Sequence, residues 1–345
     1  KHLCNGNIPV YGTGGYMLSV NAALSYDKDA IGIGRKGTIN KPYILKAPFW
    51  TVDTLFYAIP RKYNNLQFCN CIFQRIDWLK YDESTGVPSL SKNIINSIEV
   101  NCAPSYDEQQ KIASYFQSLD SLIQTTSKKL VSLKQIKDAS LQSMFPQEGE
   151  TVPKVRFKGF EGEWEKIPFG SFLKESYERS TVENEDILLS SAITGVYLNS
   201  ELFGHQRGAS NIGYKKIKKN MLILSTQNLH LGNANVNLRF EHGLISPAYK
   251  VYEIVNISPL FLQQWIKMDS TKVFFLNATT AGASLCRKNI VWDDLYKQIV
   301  LIPSKNEQVK IGLFFSNLDK QISLQTQRLE KLKQIKAACL DKMFV

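Results

Sequence analysis

The chain has 345 residues and a formal net charge of +11, from 42 basic and 31 acidic side chains. This length allows two ordinary domains with real cores. The basic balance favours an anionic partner, nucleic acid before a membrane surface. No run of 18 apolar residues occurs, so we expect a soluble cytoplasmic protein without membrane contacts. The six cysteines and four histidines show no zinc-finger spacing, so we predict reduced thiols, no metal site and no cofactor.

Residues 1–103 alternate short β-type runs with glycine turns. The apolar runs fall at 8–11, 30–33 and 49–57, and helical periodicity is weak except around 66–78. This pattern predicts a mixed domain with more strand than helix. Because the first residue is Lys1, we expect this first domain to lack its N-terminal part.

A 43-residue stretch occurs twice, at 104–146 and at 303–345. The two copies, offset by 199, agree at 20 positions without a gap. Each copy opens with a serine followed three residues later by a glutamate (Ser105 and Glu108, Ser304 and Glu307), which is the capping-box spacing. We therefore predict two long helices produced by an internal duplication.

The apolar residues of both predicted helices recur at alternating steps of four and three. Such a seam packs against another helix, and ~40 residues make a rod of roughly 60 Å. The seam residues are Ile112, Phe116, Leu119, Ile123, Leu130, Leu133 and Met144 in the first copy, and Ile311, Phe315, Leu318, Ile322, Leu329, Leu332 and Met343 in the second.

Residues 147–302 form the second globular region, which opens with an exposed linker over 147–153. Residues 147–186 carry ten acids and six bases, whereas residues 187–302 carry six acids and twelve bases. The later part is therefore expected to face an anionic partner.

Several motifs, in their order and spacing, carry a resemblance to a known family. They are the two Pro-Ser-x-x-Glu-Gln helix starts, the two Lys-Gln-Ile-Lys stretches, the phrase from Val155 to Trp164, Arg35-Lys36-Gly37-Thr38, and Pro48-Phe49-Trp50-Thr51-Val52-Asp53-Thr54. Over nearly the whole chain, the sequence resembles the specificity subunit of type I restriction-modification enzymes.

The resemblance implies an α+β protein in which two mixed α/β target-recognition domains are joined by two long antiparallel coiled-coil helices. The domains would be 1–103 and 147–302, and the spacer helices 104–146 and 303–345. It also implies a non-catalytic reader of a gapped, bipartite site in double-stranded DNA. The helices would space the domains and dock methyltransferase subunits, and a restriction/translocase subunit would join for cleavage.

The alternative is a standalone DNA-modifying enzyme that uses Gly32–Gly37 and Asn40–Tyr43. Gly32-Ile33-Gly34-Arg35-Lys36-Gly37 matches a dinucleotide-binding glycine pattern, but that pattern needs a helix at its third glycine, and Pro42 stands in the second turn. Asn40-Lys41-Pro42-Tyr43 is one substitution from an adenine-methyltransferase loop, yet it adjoins the glycines and leaves no room for a cofactor fold. No lysine has an acid two residues before it, and no Gly-Lys-Ser/Thr loop occurs. We therefore predict that the chain carries no catalytic residue.

The candidate DNA-binding residues are basic or amide side chains in turns and at strand ends. Lysines and arginines bind phosphate, and amides pair with adenine and arginine with guanine. Each group also has a structural interpretation: a charged strand edge for residues 215–219, asparagine-rich turns for 226–239, and helix-terminus solvation for the Lys92 and Arg287 pairs, which we place at matching positions of the two repeats. The candidates are Arg35, Lys36, Lys92, Asn93, Lys215, Lys216, Lys218, Lys219, Gln227, Asn228, Arg239, Arg287 and Lys288.

A second apolar set on the long helices lies off the main seam. These residues widen the apolar stripe, so they either bind a partner subunit or cap the cores of the globular domains. They are Ile136, Leu141 and Phe145 on the first helix and Ile335, Leu340 and Phe344 on the second.

Overall fold

A computed structural model describes residues 3–203, 210–284 and 287–344, with the backbone alone for 281–284 and 287. The chain divides into two compact units, a first unit of Lys1–Leu130 with Gln325–Val345 and a second unit of Val131–Leu324. Each unit contains one of the globular regions inferred from the sequence and part of both long helices.

The first unit begins with strands, as its alternating apolar runs predict. Its strands form two sheets of three, ordered β2-β1-β5 and β4-β3-β6. The strands are β1 (Asn5–Gly12), β2 (Gly15–Val20), β3 (Ala30–Gly34), β4 (Tyr43–Leu45), β5 (Trp50–Thr51) and β6 (Leu55–Ala58), and the helices are α1 (Leu66–Arg75), α2 (Lys92–Ser97) and α3 (Tyr106–Met144).

The second unit is larger and has two sheets of four strands, ordered β10-β9-β14-β11 and β13-β12-β15-β8, together with the strand pairs β16-β17 and β18-β7. Its strands are β7 (Glu165–Pro168), β8 (Leu173–Glu175), β9 (Leu188–Ala192), β10 (Gly195–Leu198), β11 (Lys215–Lys218), β12 (Leu222–Ser225), β13 (Ala234–Val236), β14 (His242–Ile245), β15 (Tyr249–Ile254), β16 (Thr279–Ser284), β17 (Arg287–Ile290) and β18 (Ile299–Ile302). Its helices are α4 (Asn199–Phe203), α5 (Pro259–Ile266), α6 (Asp269–Asn277), α7 (Trp292–Lys297) and α8 (Lys305–Met343).

The duplication extends from the helices into the sheets. In both units a central strand pairs antiparallel with two neighbours, as β3 does with β4 and β6, and β12 with β13 and β15. Both units also contain a hairpin whose first strand has a parallel neighbour: β1 pairs with β5, and β9 with β14. The two globular regions are therefore copies of one fold.

The two long helices are confirmed, and they run antiparallel within each unit. In the first unit Tyr115 Oη lies 3.4 Å from Cys339 Sγ and Asp120 lies 2.6 Å from Lys336. The serine caps are also confirmed, because Ser304 Oγ accepts from the Glu307 amide at 3.4 Å. Most seam residues are buried or half-buried, but Met343 is exposed, so its assignment to the seam is wrong.

The junction between helices and globular region uses the same polar contact in both units. The amide of Asn65, the N-cap of α1, donates to Gln109 Oε1 at 2.9 Å. The amide of Ser258, the N-cap of α5, donates to Gln308 Oε1 at 2.8 Å. Gln109 and Gln308 are 199 residues apart, as the repeat requires, and both side chains are buried.

The described part of the chain contains no helix that is long and apolar enough to cross a lipid bilayer. Its five described cysteines, which are Cys4, Cys69, Cys71, Cys102 and Cys339, are free thiols.

Candidate nucleic-acid interface

In the first unit, Arg35 and Lys36 stand in a tight turn at the end of β3. A Cβ atom on Gly34 would lie 2.1 Å from the Thr38 carbonyl oxygen, so this turn requires glycine. Residues 35–42 are all described and form no helix. The glycine pattern is therefore a turn and not the start of a dinucleotide-binding helix, which argues against the alternative of a standalone enzyme.

The Arg35 side chain is exposed and held at the rim of the turn. Its Nη1 donates to the Asp53 carbonyl at 3.2 Å, and its guanidinium lies 5.6 Å from the centre of the Phe56 ring. These contacts hold the guanidinium through one nitrogen and leave its other donors for a ligand.

An open cleft of about 700 Å³ brings Arg35 and Lys36 together with Lys92, and Asp53 and Glu83 also line it. The loop that leads to Lys92 is held by Asp82, whose carboxylate accepts from the amides of Ser84 at 3.0 Å and Ser89 at 2.8 Å. The hydrogen bond from the Ser89 amide is the main reason that the pKa of Asp82 lies below its usual 3.8. Three of the predicted basic residues thus share one surface in the first unit, and Asn93 is exposed beside them.

In the second unit, Gln227 and Asn228 occupy the place that Arg35 and Lys36 occupy in the first. Ile31 pairs with Ile44 and Ala58 on the strands beside it, and Ile223 pairs in the same way with Asn235 and Val251. Arg35 follows Ile31 by four residues, and Gln227 follows Ile223 by four. Both units therefore present their candidate readers just beyond the end of the same central strand.

The Gln227 turn is built from serine contacts. Ser225 Oγ accepts from the amides of Gln227 at 3.4 Å and Asn228 at 3.1 Å, and both side chains remain exposed. Lys288 of β17 lies close enough for its charge to act on His230, whose pKa is lowered first by burial and then by Lys288. Lys288 thus places a positive charge near the Gln227 turn.

The asparagines that follow this turn are structural. Asn233, Asn235 and Asn237 are 7%, 0% and 0% exposed, and Asn235 Nδ2 donates to Ser191 Oγ at 2.7 Å. The structural interpretation therefore holds for these three asparagines, because their amides satisfy buried polar groups.

The four lysines from 215 to 219 are paired with carboxylates along the outer strand β11. Lys215 is only 6% exposed, so it cannot bind a phosphate, and burial lowers its pKa. These ion pairs favour the interpretation of this cluster as a charged strand edge. The pairs are Lys215 with Glu175, Lys216 with Glu185, Lys218 with Glu178 and Lys219 with Glu241.

Arg239 is held by a carboxylate. Both terminal nitrogens of Arg239 bind Glu201, at 2.9 and 2.6 Å, and its guanidinium lies 4.7 Å from the Phe240 ring centre. The Arg287 side chain lies outside the described residues. Lys92 begins α2, whereas Lys288 lies in β17, ahead of α7, so the matching positions inferred for these two lysines are wrong.

The second apolar set on the long helices divides into three matched pairs. Phe145 and Phe344 are 1% and 6% exposed, and each packs in an aromatic cluster, Phe145 with Phe261 and Phe315, and Phe344 with Phe68 and Phe116. Partner binding is therefore excluded for these two phenylalanines, which complete domain cores.

The other two pairs of this apolar set keep some exposure. Leu141 and Leu340 are half-buried against the cores. Ile136 and Ile335 are 48% and 37% exposed, so only this last pair presents an accessible apolar side chain.

Lys272 of α6 is an exposed basic residue near Gly232 that was not among the predicted candidates. A Cβ atom on Gly232 would lie 3.5 Å from its Cε. No sequence pattern marks Lys272, because only the folded α6 brings it there.

Each of the two compact units combines an equivalent set of strands with segments of two antiparallel helices. This architecture is the fold of a type I restriction-modification S subunit. The structure is similar to the crystal structure of the type I restriction-modification system S subunit from M. genitalium, with a TM-score of 0.65 and 14% identity over 99% of this chain and 89% of that one. It is also similar to the HsdS subunit from Thermoanaerobacter tengcongensis, with a TM-score of 0.46 and 14% identity over 99% and 90% of the two chains.

Residues 1–135 match the family model of the type I restriction modification DNA specificity domain. This match confirms, over residues 1–135, the resemblance found in the sequence. No curated protein matches the chain significantly.

Proposed function

We propose that the chain is the DNA-recognition subunit of a type I restriction-modification complex and that each unit reads one half of a gapped site in double-stranded DNA. The observation that supports this most is the equivalence of Arg35-Lys36 and Gln227-Asn228 at the end of one duplicated strand. Arginine pairs with guanine and amides pair with adenine in the major groove. A duplicated fold that carries two different sets of base-contacting side chains suits a DNA site with two different halves.

Selection of bound DNA from a random pool, with the full chain and its methyltransferase subunit, tests this function. The expected result is a gapped motif. Arg35→Ala relaxes selection in one half of the motif and Gln227→Ala in the other half. A single ungapped motif, or a loss in both halves from either substitution, would contradict two independent readers.

The exposed lysines of the first cleft are proposed to bind phosphates and to set the register on DNA. Lys36→Ala and Lys92→Ala are each expected to lower the slope of log affinity against log salt by about 1. Lys218→Ala removes the same charge from a residue already paired with Glu178 at 3.4 Å and is expected to leave the slope unchanged. Equal slopes for all three variants would show that the cleft does not bind phosphate.

The chain itself is proposed to carry no chemistry and to dock methyltransferase subunits, with a restriction/translocase subunit joining the complex. Within the second apolar set, Ile136 and Ile335 are the accessible pair for such docking. Ile136→Asp and Ile335→Asp are expected to weaken binding of the methyltransferase subunit, whereas Leu324→Asp, at a site 54% exposed on α8, serves as the control. Methyl transfer from labelled S-adenosylmethionine by the chain alone would contradict the non-catalytic assignment.

A further inference from the structure

The hairpin of β1 and β2 exposes three consecutive apolar side chains. Tyr16, Met17 and Leu18 are 63%, 57% and 49% exposed. A regular strand alternates its faces, so such an exposed run within one strand calls for a functional explanation.

A β-bulge produces this exposure. Tyr11 pairs with Tyr16 and Val10 pairs with Leu18, which leaves Met17 as an extra residue. Bulges re-aim side chains near binding sites. The Met17 thioether also lies across Gly12, where a Cβ atom would come within 2.8 Å of its Sδ.

The fold does not require this feature, as the equivalent hairpin of the second unit shows. There β9 and β10 pair without a register shift, from Gly195 with Ala192 to Leu198 with Leu189. Val196 is 8% exposed, and the other residues of β10 are half-buried. The apolar run is therefore particular to the first unit.

The hairpin tip lies beside the basic turn. A Cβ atom on Gly37 would lie 3.7 Å from Thr13 Oγ1, whereas nothing lies within 4 Å of such an atom on Gly14 or Gly15. The chain has no acidic residue before Asp27. An open, acid-free ribbon next to Arg35 and Lys36 is complementary to a polyanion.

We propose that this hairpin enters a groove of the bound DNA as an apolar wedge, with Tyr16 and Met17 packed against the bases beside the phosphates held by the basic turn. A two-stranded ribbon fits the major groove, where apolar side chains can contact the thymine methyl group. This inference rests on the proposed function and adds an uncharged contact to it.

The test measures affinity of the full chain for its selected duplex at several salt concentrations. Tyr16→Ala and Met17→Ala are each expected to weaken binding about tenfold, as for a lost base-stacking contact, with the salt slope unchanged because no charge is removed. Lys36→Ala, by contrast, is expected to lower the slope. Tyr63→Ala, at a tyrosine 72% exposed outside the hairpin, is expected to leave both affinity and slope unchanged.

The outcomes separate the wedge from the proposed function. Wild-type affinity in the Tyr16 and Met17 variants, with DNA binding by the chain intact, overturns the wedge alone. Loss of the methyltransferase subunit with unchanged DNA affinity assigns the hairpin to protein docking and also overturns it. A chain that binds no DNA overturns both proposals.

Discussion

The Lys137 ammonium lies 2.6 Å from the Asp319 carboxylate, and Lys336 lies at the same 2.6 Å from Asp120. Asp319 and Lys336 are the residues 199 positions after Asp120 and Lys137, so the two ion pairs are copies of one interaction. Each joins α3 to α8 within its own unit. The duplication has therefore preserved the pairing of the helices together with their sequences.

Exchange of charges across this pair tests the helix pairing. Lys137→Asp combined with Asp319→Lys is expected to recover most of the stability lost by Lys137→Asp alone. Each pair is partly exposed, so the coupling should be about 0.5–1 kcal/mol. The control is Lys137→Asp combined with Asp120→Lys. It has the same net charge, but its new lysine faces Lys336 instead of the new aspartate. Equal unfolding free energies for the two double variants would contradict the pairing.

The two capping glutamates are expected to differ sharply despite their equivalent positions. Arg156 binds Glu307 through Nε at 2.8 Å and Nη2 at 2.6 Å, and Glu307 is 1% exposed, whereas Glu108 is exposed. Glu307→Gln is therefore expected to lower the free energy of unfolding by about 3–5 kcal/mol. Glu108→Gln should change it by less than about 0.5 kcal/mol. Similar losses in the two variants, measured by denaturant unfolding, would show that the Arg156–Glu307 pair does not contribute this stability.

Acid should weaken the loop that leads to Lys92. The folded-state pKa of Asp82 is lowered from 3.8 by the Ser89 and Ser84 amides. Its contribution to stability is therefore present above the unfolded value and lost as the pH falls through the lowered pKa. The difference in unfolding free energy between wild type and Asp82→Asn should stay constant from pH 7 to about 5 and shrink below that. A difference that persists unchanged at pH 2 would rule out this role.

The proposed spacing function of the helices leads to a length prediction. Seven residues added after both Thr126 and Gln325 preserve the seam, because one heptad restores the same face. The insertions lengthen each helix by ~10.5 Å, which corresponds to about three base pairs at 3.4 Å each. The selected DNA motif should keep its two halves and gain that gap.

A four-residue insertion at the same two positions is the control for helix length. It rotates the seam and should destabilise the pairing rather than give an intermediate gap. If the seven-residue variant binds DNA with an unchanged gap, the helices do not set the spacing.

The sequence predicted the long helices and their duplication because both depend on local spacing, which repeats along the chain. It failed where burial depends on residues distant in sequence. Asn235 can be buried because its side-chain amide donates a hydrogen bond to Ser191, and Lys215 can be buried because it pairs with Glu175. Periodicity also placed Phe145 and Phe344 on the correct stripe, but it could not show that α5 and α1 cover them.

The aromatic cluster of the first unit has a consequence for the order of folding during synthesis. Phe68 and Phe116 are completed by Phe344, and the first unit includes Gln325–Val345. All of the second unit, Val131–Leu324, is translated before that segment. At ~5–20 residues per second, the ribosome needs on the order of 10–40 seconds for that interval. The aromatic cluster of the first unit therefore cannot be completed until Phe344 has been synthesised, after the whole of the second unit.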